Sequence, residues 1–149
     1  MRRRSEEPFL DTNVFLRHLL GDEPTQSPAA SAYFQALELG KTSAHISDIV
    51  IFEVVFTLER GYRRSKVGIQ GAVLPLLEFP SILLAGKHKF REIFKLYIER
   101  NISFADAYHI VMMRKLNLTE VVSFDRDFDR IATVERVEPD TTGELVPAV

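Results

Sequence analysis

Phe9-Leu10-Asp11-Thr12-Asn13-Val14-Phe15-Leu16-Arg17-His18-Leu19-Leu20 changes character at its third residue. Two apolar residues lead into a polar triplet, after which Phe15, Leu16, Leu19 and Leu20 recur at helical spacing. The stretch reads as a short buried strand that ends in a polar turn and feeds a helix. Gly21-Asp22-Glu23-Pro24 then breaks the helix.

The same alternation continues outward. A helix is expected over Ala29–Leu39, closed by Gly40, and a very short strand at Ala44-His45-Ile46. Ser47 or Asp48 can cap a helix running to about Arg60, with Gly61 as its stop. Ser65–Glu78 reads as helix despite Gly68, Gly71 and Pro75, and Ile82-Leu83-Leu84 as a second buried strand. Lys87–Arg100 is amphipathic, with Phe90, Ile93, Phe94, Tyr97 and Ile98 on one side, a stripe that suits core or a dimer surface. Ser103 caps a helix over Phe104–Leu116, a strand follows at Glu120–Ser123, and another covers Val134–Val137. Short apolar strands alternating with amphipathic helices specify an α/β domain, with a parallel sheet and helices on both faces. Residues 1–7 form a basic extension carrying Arg2, Arg3 and Arg4, residues 8–137 the domain, and 138–149 a polar tail.

Composition narrows the chemistry. The chain has 149 residues, 46% hydrophobic and 27% charged, the balance of one soluble globular domain. Net charge is −2, so a polyanionic partner must be held by local patches or by a bound cation. With no Cys, disulfides and thiolate metal sites are excluded, which fits a reducing cytosol, and the four His lack zinc-ligand spacing. The longest apolar run, Ile49–Phe56, is interrupted by Glu53 and too short to span a bilayer, so a cytoplasmic protein with no membrane role is expected.

Four acids stand out. Asp11 closes the first strand and Asp125 lies just past Val121-Val122-Ser123, where open parallel sheets gather functional groups. Glu53 sits in a helix apolar almost all round. Burying it unpaired would cost several kcal/mol or shift its pKa, so a cation or basic partner is implied, unless it lies on a narrow solvent stripe. Asp106 fits the third helical position of a capping box begun by Ser103, and becomes a ligand only if the other acids are near. Carboxylates brought together repel one another, whereas magnesium takes such oxygen ligands and can ready a water for attack on phosphate.

Phe9–Arg17, Glu53-Val54-Val55-Phe56-Thr57-Leu58, Phe104-Ala105-Asp106-Ala107 and Val122-Ser123-Phe124-Asp125-Arg126-Asp127-Phe128 together resemble the PIN-domain family, and most of all VapC-type toxins of toxin–antitoxin systems. The resemblance runs in order from about Pro8 to Val137. It implies a three-layer α/β/α fold with a parallel central sheet, and an endoribonuclease dependent on Mg2+ or Mn2+ that leaves a 5′-phosphate and a 3′-hydroxyl. Asp11, Glu53, Asp106 and Asp125 match the acidic metal positions, with Asp127 as an extra acid beside them. Asn13 and Ser123 match supporting polar positions. An RNA substrate, a homodimer and a VapB-type antitoxin inserted near the active site are implied as well. The extension 1–7 departs from the usual start, where the first strand follows Met almost directly.

Other features keep two readings. Arg60, Arg63, Arg64 and Lys66, with Tyr62 among them, suit RNA phosphates and a stacked base, or a solvated helix end whose cations complement the dipole. Lys87, Lys89 and Arg91 carry the same ambiguity, and His109, one turn after Asp106, suits packing better than catalysis. The alternative to a nuclease is a PIN-like module that holds RNA or protein with little or no cutting. A receiver-like phosphoryl-transfer domain is disfavoured, because Asp11-Thr12-Asn13 lacks the second Asp of an Asp-x-Asp loop and no Lys follows the late strand.

Overall fold

The computed structural model describes residues 7–148, so Arg2, Arg3 and Arg4 of the basic extension lie outside the described residues. The chain forms two compact units, one ending at His88 and one beginning at Lys89.

In the N-terminal unit, Asp11 holds extended backbone and helix α1 (Thr12–Leu20) starts directly after it. Phe9 and Leu10 form less than the expected strand. They are tied to His45 by one parallel bridge, with Leu10 N–H donating to His45 O at 2.8 Å and His45 N–H to Pro8 O at 2.8 Å. The helix stops at Gly21 (φ 63°), a left-handed position that glycine takes without strain. Helix α2 (Gln26–Glu38) begins three residues earlier than the apolar pattern indicates, because the Glu23 carboxylate and Ser27 hydroxyl satisfy the turn before it. Phe15 and Phe34 meet edge to face at 4.9 Å and are buried between α1 and α2.

Strand β1 (Ala44–His45) pairs in parallel with β2 (Ile82–Leu83). Between them come α3 (Asp48–Phe56), a π-helical turn (Thr57–Gly61) and α4 (Lys66–Leu77). Ser47 stands at the cap of α3 but its hydroxyl makes no capping bond, whereas Ser65 Oγ accepts from Gly68 N–H at 3.0 Å at the start of α4. Pro75 lies inside α4, a position that costs about 3 kcal/mol in a helix interior. Burial of Ile69, Val73, Leu76 and Leu77 offsets that cost. Lys87 is accounted for here: its ammonium donates to Phe79 O (2.8 Å) and Ile82 O (2.9 Å), tying the segment around β2.

In the C-terminal unit, α5 (Lys89–Glu99) and α6 (Phe104–Lys115) pack through an aromatic cluster. Phe94 lies 5.0 Å from Phe104 and Tyr97 5.4 Å from Phe104, with Phe90, Phe94 and Tyr97 fully buried. The apolar stripe of α5 is therefore core. Strand β3 (Glu120–Val122) pairs in parallel with β4 (Glu135–Pro139), and β4 pairs antiparallel with β5 (Leu145–Pro147).

Strand β5 corrects the reading of residues 138–149 as a plain polar tail. Asp140 Oδ1 accepts from Thr142 N–H (2.8 Å) and Glu144 N–H (3.0 Å), and Gly143 takes φ 86°. That turn folds the chain back onto β4. Leu145 and Val146 remain exposed, so no apolar periodicity marks the strand.

Phe94 fills the centre of the α5–α6 contact. Phe94→Ala is expected to lower unfolding free energy by about 3–5 kcal/mol. A urea titration followed by circular dichroism measures this, and a loss under 1 kcal/mol would remove Phe94 from the core.

Candidate metal centre

The sequence-predicted acids fall into two groups, one in each unit. In the N-terminal unit, Asp11 is exposed at the head of α1 and its carboxylate makes no capping bond, which leaves both oxygens for another partner. Thr12, buried in the next position, donates its hydroxyl to Glu53 Oε2 at 2.8 Å. One bond thus ties the start of α1 to α3 and orients the Glu53 carboxylate, with Oε1 left free of it. The expectation that Glu53 is buried is not met. It is exposed, because α3 keeps an open face along Ile49 (65% exposed) and Phe56 (61%) while Val50, Ile51, Val54 and Val55 face inward. An apolar composition all round the helix hid that stripe. Asn13 is exposed, and an open cavity of about 860 Å3 runs past Asp11, bordered by Phe9, Asn13, Arg17 and Tyr33.

In the C-terminal unit, Asp106, Asp125 and Asp127 each offer an oxygen within 4.8 Å of the others. Backbone geometry arranges this. Ser103 Oγ accepts from Asp106 N–H at 3.1 Å and caps α6, so half of the predicted capping box is present and its acid points into the cluster as well. Ser123 Oγ accepts from Asp125 N–H at 3.0 Å, and Asp125 Oδ1 accepts from Asp127 N–H at 2.9 Å, opening a 3-10 turn over Arg126–Arg130. Asp127 also lies 3.5 Å from Arg130 in an ion pair.

Electrostatics mark the cluster. Burial pushes the Asp106 carboxyl above its ordinary range; the Ser103 hydroxyl opposes this, the Asp125 charge and a hydrogen bond to Asp125 add to it, and the His109 imidazole opposes it weakly. Carboxylates gathered this closely suit a site in which a cation would offset their charge. Their donor set is all hard oxygen, which fits magnesium or manganese and does not suit a soft metal.

Two side chains that hold the sites were not singled out by sequence. Thr12 lies inside a quoted motif, yet its partner is 41 positions away and no spacing rule connects them. Arg136 has 1% of its side chain exposed. Its Nε and NH2 donate to Asp129 Oδ1 (2.9 Å) and Oδ2 (3.2 Å), and its NH1 to Ser123 O (3.1 Å) and Glu138. An arginine at an inward strand position, with acids seven residues before and two after, was the available signal. Arg60, Arg63 and Arg64 are exposed on the π turn and the loop after it. His109 is exposed and Lys89 packs over the Phe90 and Tyr108 rings.

The sequence pattern of the PIN domain matches residues 9–134, which spans every one of these acids. The chain belongs to the PIN-domain family. This PIN domain is 32% identical over 123 residues to the VapC ribonuclease of Aquifex aeolicus (strain VF5), covering 83% of this chain and 90% of that protein. A solved structure, the sarcin–ricin loop cleaving toxin VapC20 of Mycobacterium tuberculosis, overlaps 85% of this chain and 95% of its own at 19% identity and a TM-score of 0.40, too loose a match to transfer residues. No described helix of the PIN domain is long and apolar enough to cross a membrane.

The raised Asp106 pKa has a definite sign. A carboxyl whose folded pKa exceeds its unfolded value contributes stability at low pH that is lost as pH rises through the folded pKa. Asp106→Asn is therefore expected to raise Tm near neutral pH in metal-free buffer, with the gain vanishing below about pH 4. Calorimetry across that range tests it; equal melting at neutral pH would show that Asp106 carries no electrostatic cost.

Proposed function

We propose that this chain is the ribonuclease toxin of a toxin–antitoxin pair, an endoribonuclease that requires Mg2+ or Mn2+. The observation that carries the reading is the gathering of the Asp106, Asp125 and Asp127 oxygens within 4.8 Å, in a chain 32% identical to a VapC ribonuclease. Asp11, Glu53, Asp106 and Asp125 are assigned as the carboxylates that hold the cation, with Asp127 adjoining them.

A bound divalent ion would supply positive charge against the scissile phosphate and acidity to a water beside it. The chain's own residues do the rest. Thr12 presents Glu53 in one orientation, Ser123 fixes the amide of Asp125, and the Asp125 carboxylate in turn fixes the amide of Asp127. Arg130 shares the Asp127 charge, so Asp127 is the weakest donor of the group. Asn13, exposed two residues after Asp11, would donate a hydrogen bond to a phosphate oxygen. The substrate is RNA, the regulatory partner is a VapB-type antitoxin, and the working form is a homodimer in the cytoplasm.

Purified protein is expected to cut structured RNA with magnesium or manganese and to lose the activity in EDTA. Asp11→Ala and Asp125→Ala should abolish it, and Ser123→Ala should cost about 10- to 100-fold, the usual effect of removing a group that orients a metal ligand. Cleavage that persists in EDTA would falsify the mechanism. Expression without an antitoxin should arrest growth, and normal growth would argue against the toxin role alone.

A further inference from the structure

Beyond Glu53, helix α3 runs into a surface that the metal chemistry does not use. Glu53, Phe56 and Arg60 stand at i, i+3 and i+7, the spacing of one helical face, and all three are exposed. Arg60 lies over the Phe56 ring, its guanidinium carbon 5.4 Å from the centroid, and Phe56 is 61% exposed beneath it. Arg64 N–H donates to Leu58 O at 3.0 Å and folds the following loop back on the π turn. Arg63 takes φ 50°, a left-handed conformation unusual for a residue with a side chain. Tyr62, Arg63 and Arg64 are all exposed there. Among the described residues, Arg60, Arg63 and Arg64 enter no ion pair.

A stacked aromatic–guanidinium pair beside unpaired arginines is what single-stranded nucleic acid uses: π-faces for bases and cations for phosphates. We propose that this face binds a single-stranded stretch of the RNA, one unpaired base stacking on the Phe56–Arg60 platform and neighbouring phosphates lying on Arg63 and Arg64. The proposal rests on the ribonuclease reading for the identity of the strand. Arg60 lies two helical turns, about 10 Å, from Glu53 along the same element, so a strand seated on the platform runs toward that acid. Phosphate is attracted at the arginine end, and at the Glu53 end a bound cation would offset the carboxylate charge. Charge also separates RNA from a second copy of the chain. A two-fold contact sets each patch against itself, and three unpaired arginines would then face three more.

The test uses the full chain carrying Asp125→Asn, so that bound RNA is not consumed, with magnesium present and a short fluorescein-labelled single-stranded RNA of mixed sequence as probe. Fluorescence anisotropy at several salt concentrations should show Phe56→Ala binding about tenfold more weakly with an unchanged salt slope. Arg60→Lys, which keeps the charge and loses the plane, should do likewise. Arg63→Ala with Arg64→Ala should reduce the slope of log K against log salt by about 1.4, two phosphate contacts at single-strand density. Unaltered affinity in Phe56→Ala and Arg60→Lys overturns the proposal. So does a Phe56→Ala variant that turns a wild-type dimer into monomer by light scattering, which assigns the face to a second copy. If the expected losses appear but the wild-type chain cuts no RNA, the platform stands and the ribonuclease reading falls. If the wild type cuts and the losses are absent, the reverse holds.

Discussion

The Arg136 guanidinium is almost wholly out of water, and it stays charged there because Asp129 meets it with both oxygens while Glu138 and the Ser123 carbonyl take its remaining bonds. The ordering of the acidic turn depends on that arrangement. Ser123 is held through its carbonyl by Arg136 and through its hydroxyl by the Asp125 amide, so the buried cation and the candidate metal ligand share a single residue between them. Strand β3 ends at Val122, and the bond from Ser123 N–H to Val137 O adds to this clamp in fixing the course of the chain leaving it. The guanidinium therefore acts as an internal counter-ion for Asp129 and Glu138 and, among the described residues, has no bond to Asp106, Asp125 or Asp127.

Asp129 and Asp106 respond in opposite ways. Asp129, bonded by Arg136, is held below the usual carboxylate range, mainly through that hydrogen bond. Asp106, a short distance along the fold, is pushed above it by burial and by the neighbouring Asp125. Asp129 stabilises the fold at neutral pH and loses that contribution on acidification. Asp106 weakens it at neutral pH and is relieved on acidification. Asp129 is thus a carboxylate satisfied by protein, whereas Asp106 carries an electrostatic cost that Arg136 does not relieve.

Much of this was legible beforehand, for reasons that differ by element. Helices α5 and α6 were set by amphipathic spacing and by Ser103, and the structure moves their ends by one or two residues. The family could be seen because its motifs keep their order along the chain, whatever the packing. The Phe9–Leu10 strand shrank to a single bridge because its pairing partner is the two-residue β1. Strand β5 was missed because its apolar residues face solvent, and the signal lay instead in the Asp140–Gly143 turn. Thr12 and Arg136 were missed for a common reason: each is defined by a partner on a separate element, and residue spacing encodes only the element itself.

Glu53 is exposed although the residues on both sides of it are almost all apolar. A helix rich in Val, Ile and Phe on every side has no polar stripe to mark its open face, so periodicity gives no direction. The structure supplies it: Val50, Ile51, Val54 and Val55 point inward, and Ile49, Glu53, Phe56 and Arg60 look out. Ile49 and Phe56 stand exposed on this face while Val50, Ile51, Val54 and Val55 are buried. An acid oriented by Thr12, an aromatic ring and an arginine lying over it stand in line along that open face, an order that no apolar periodicity encodes.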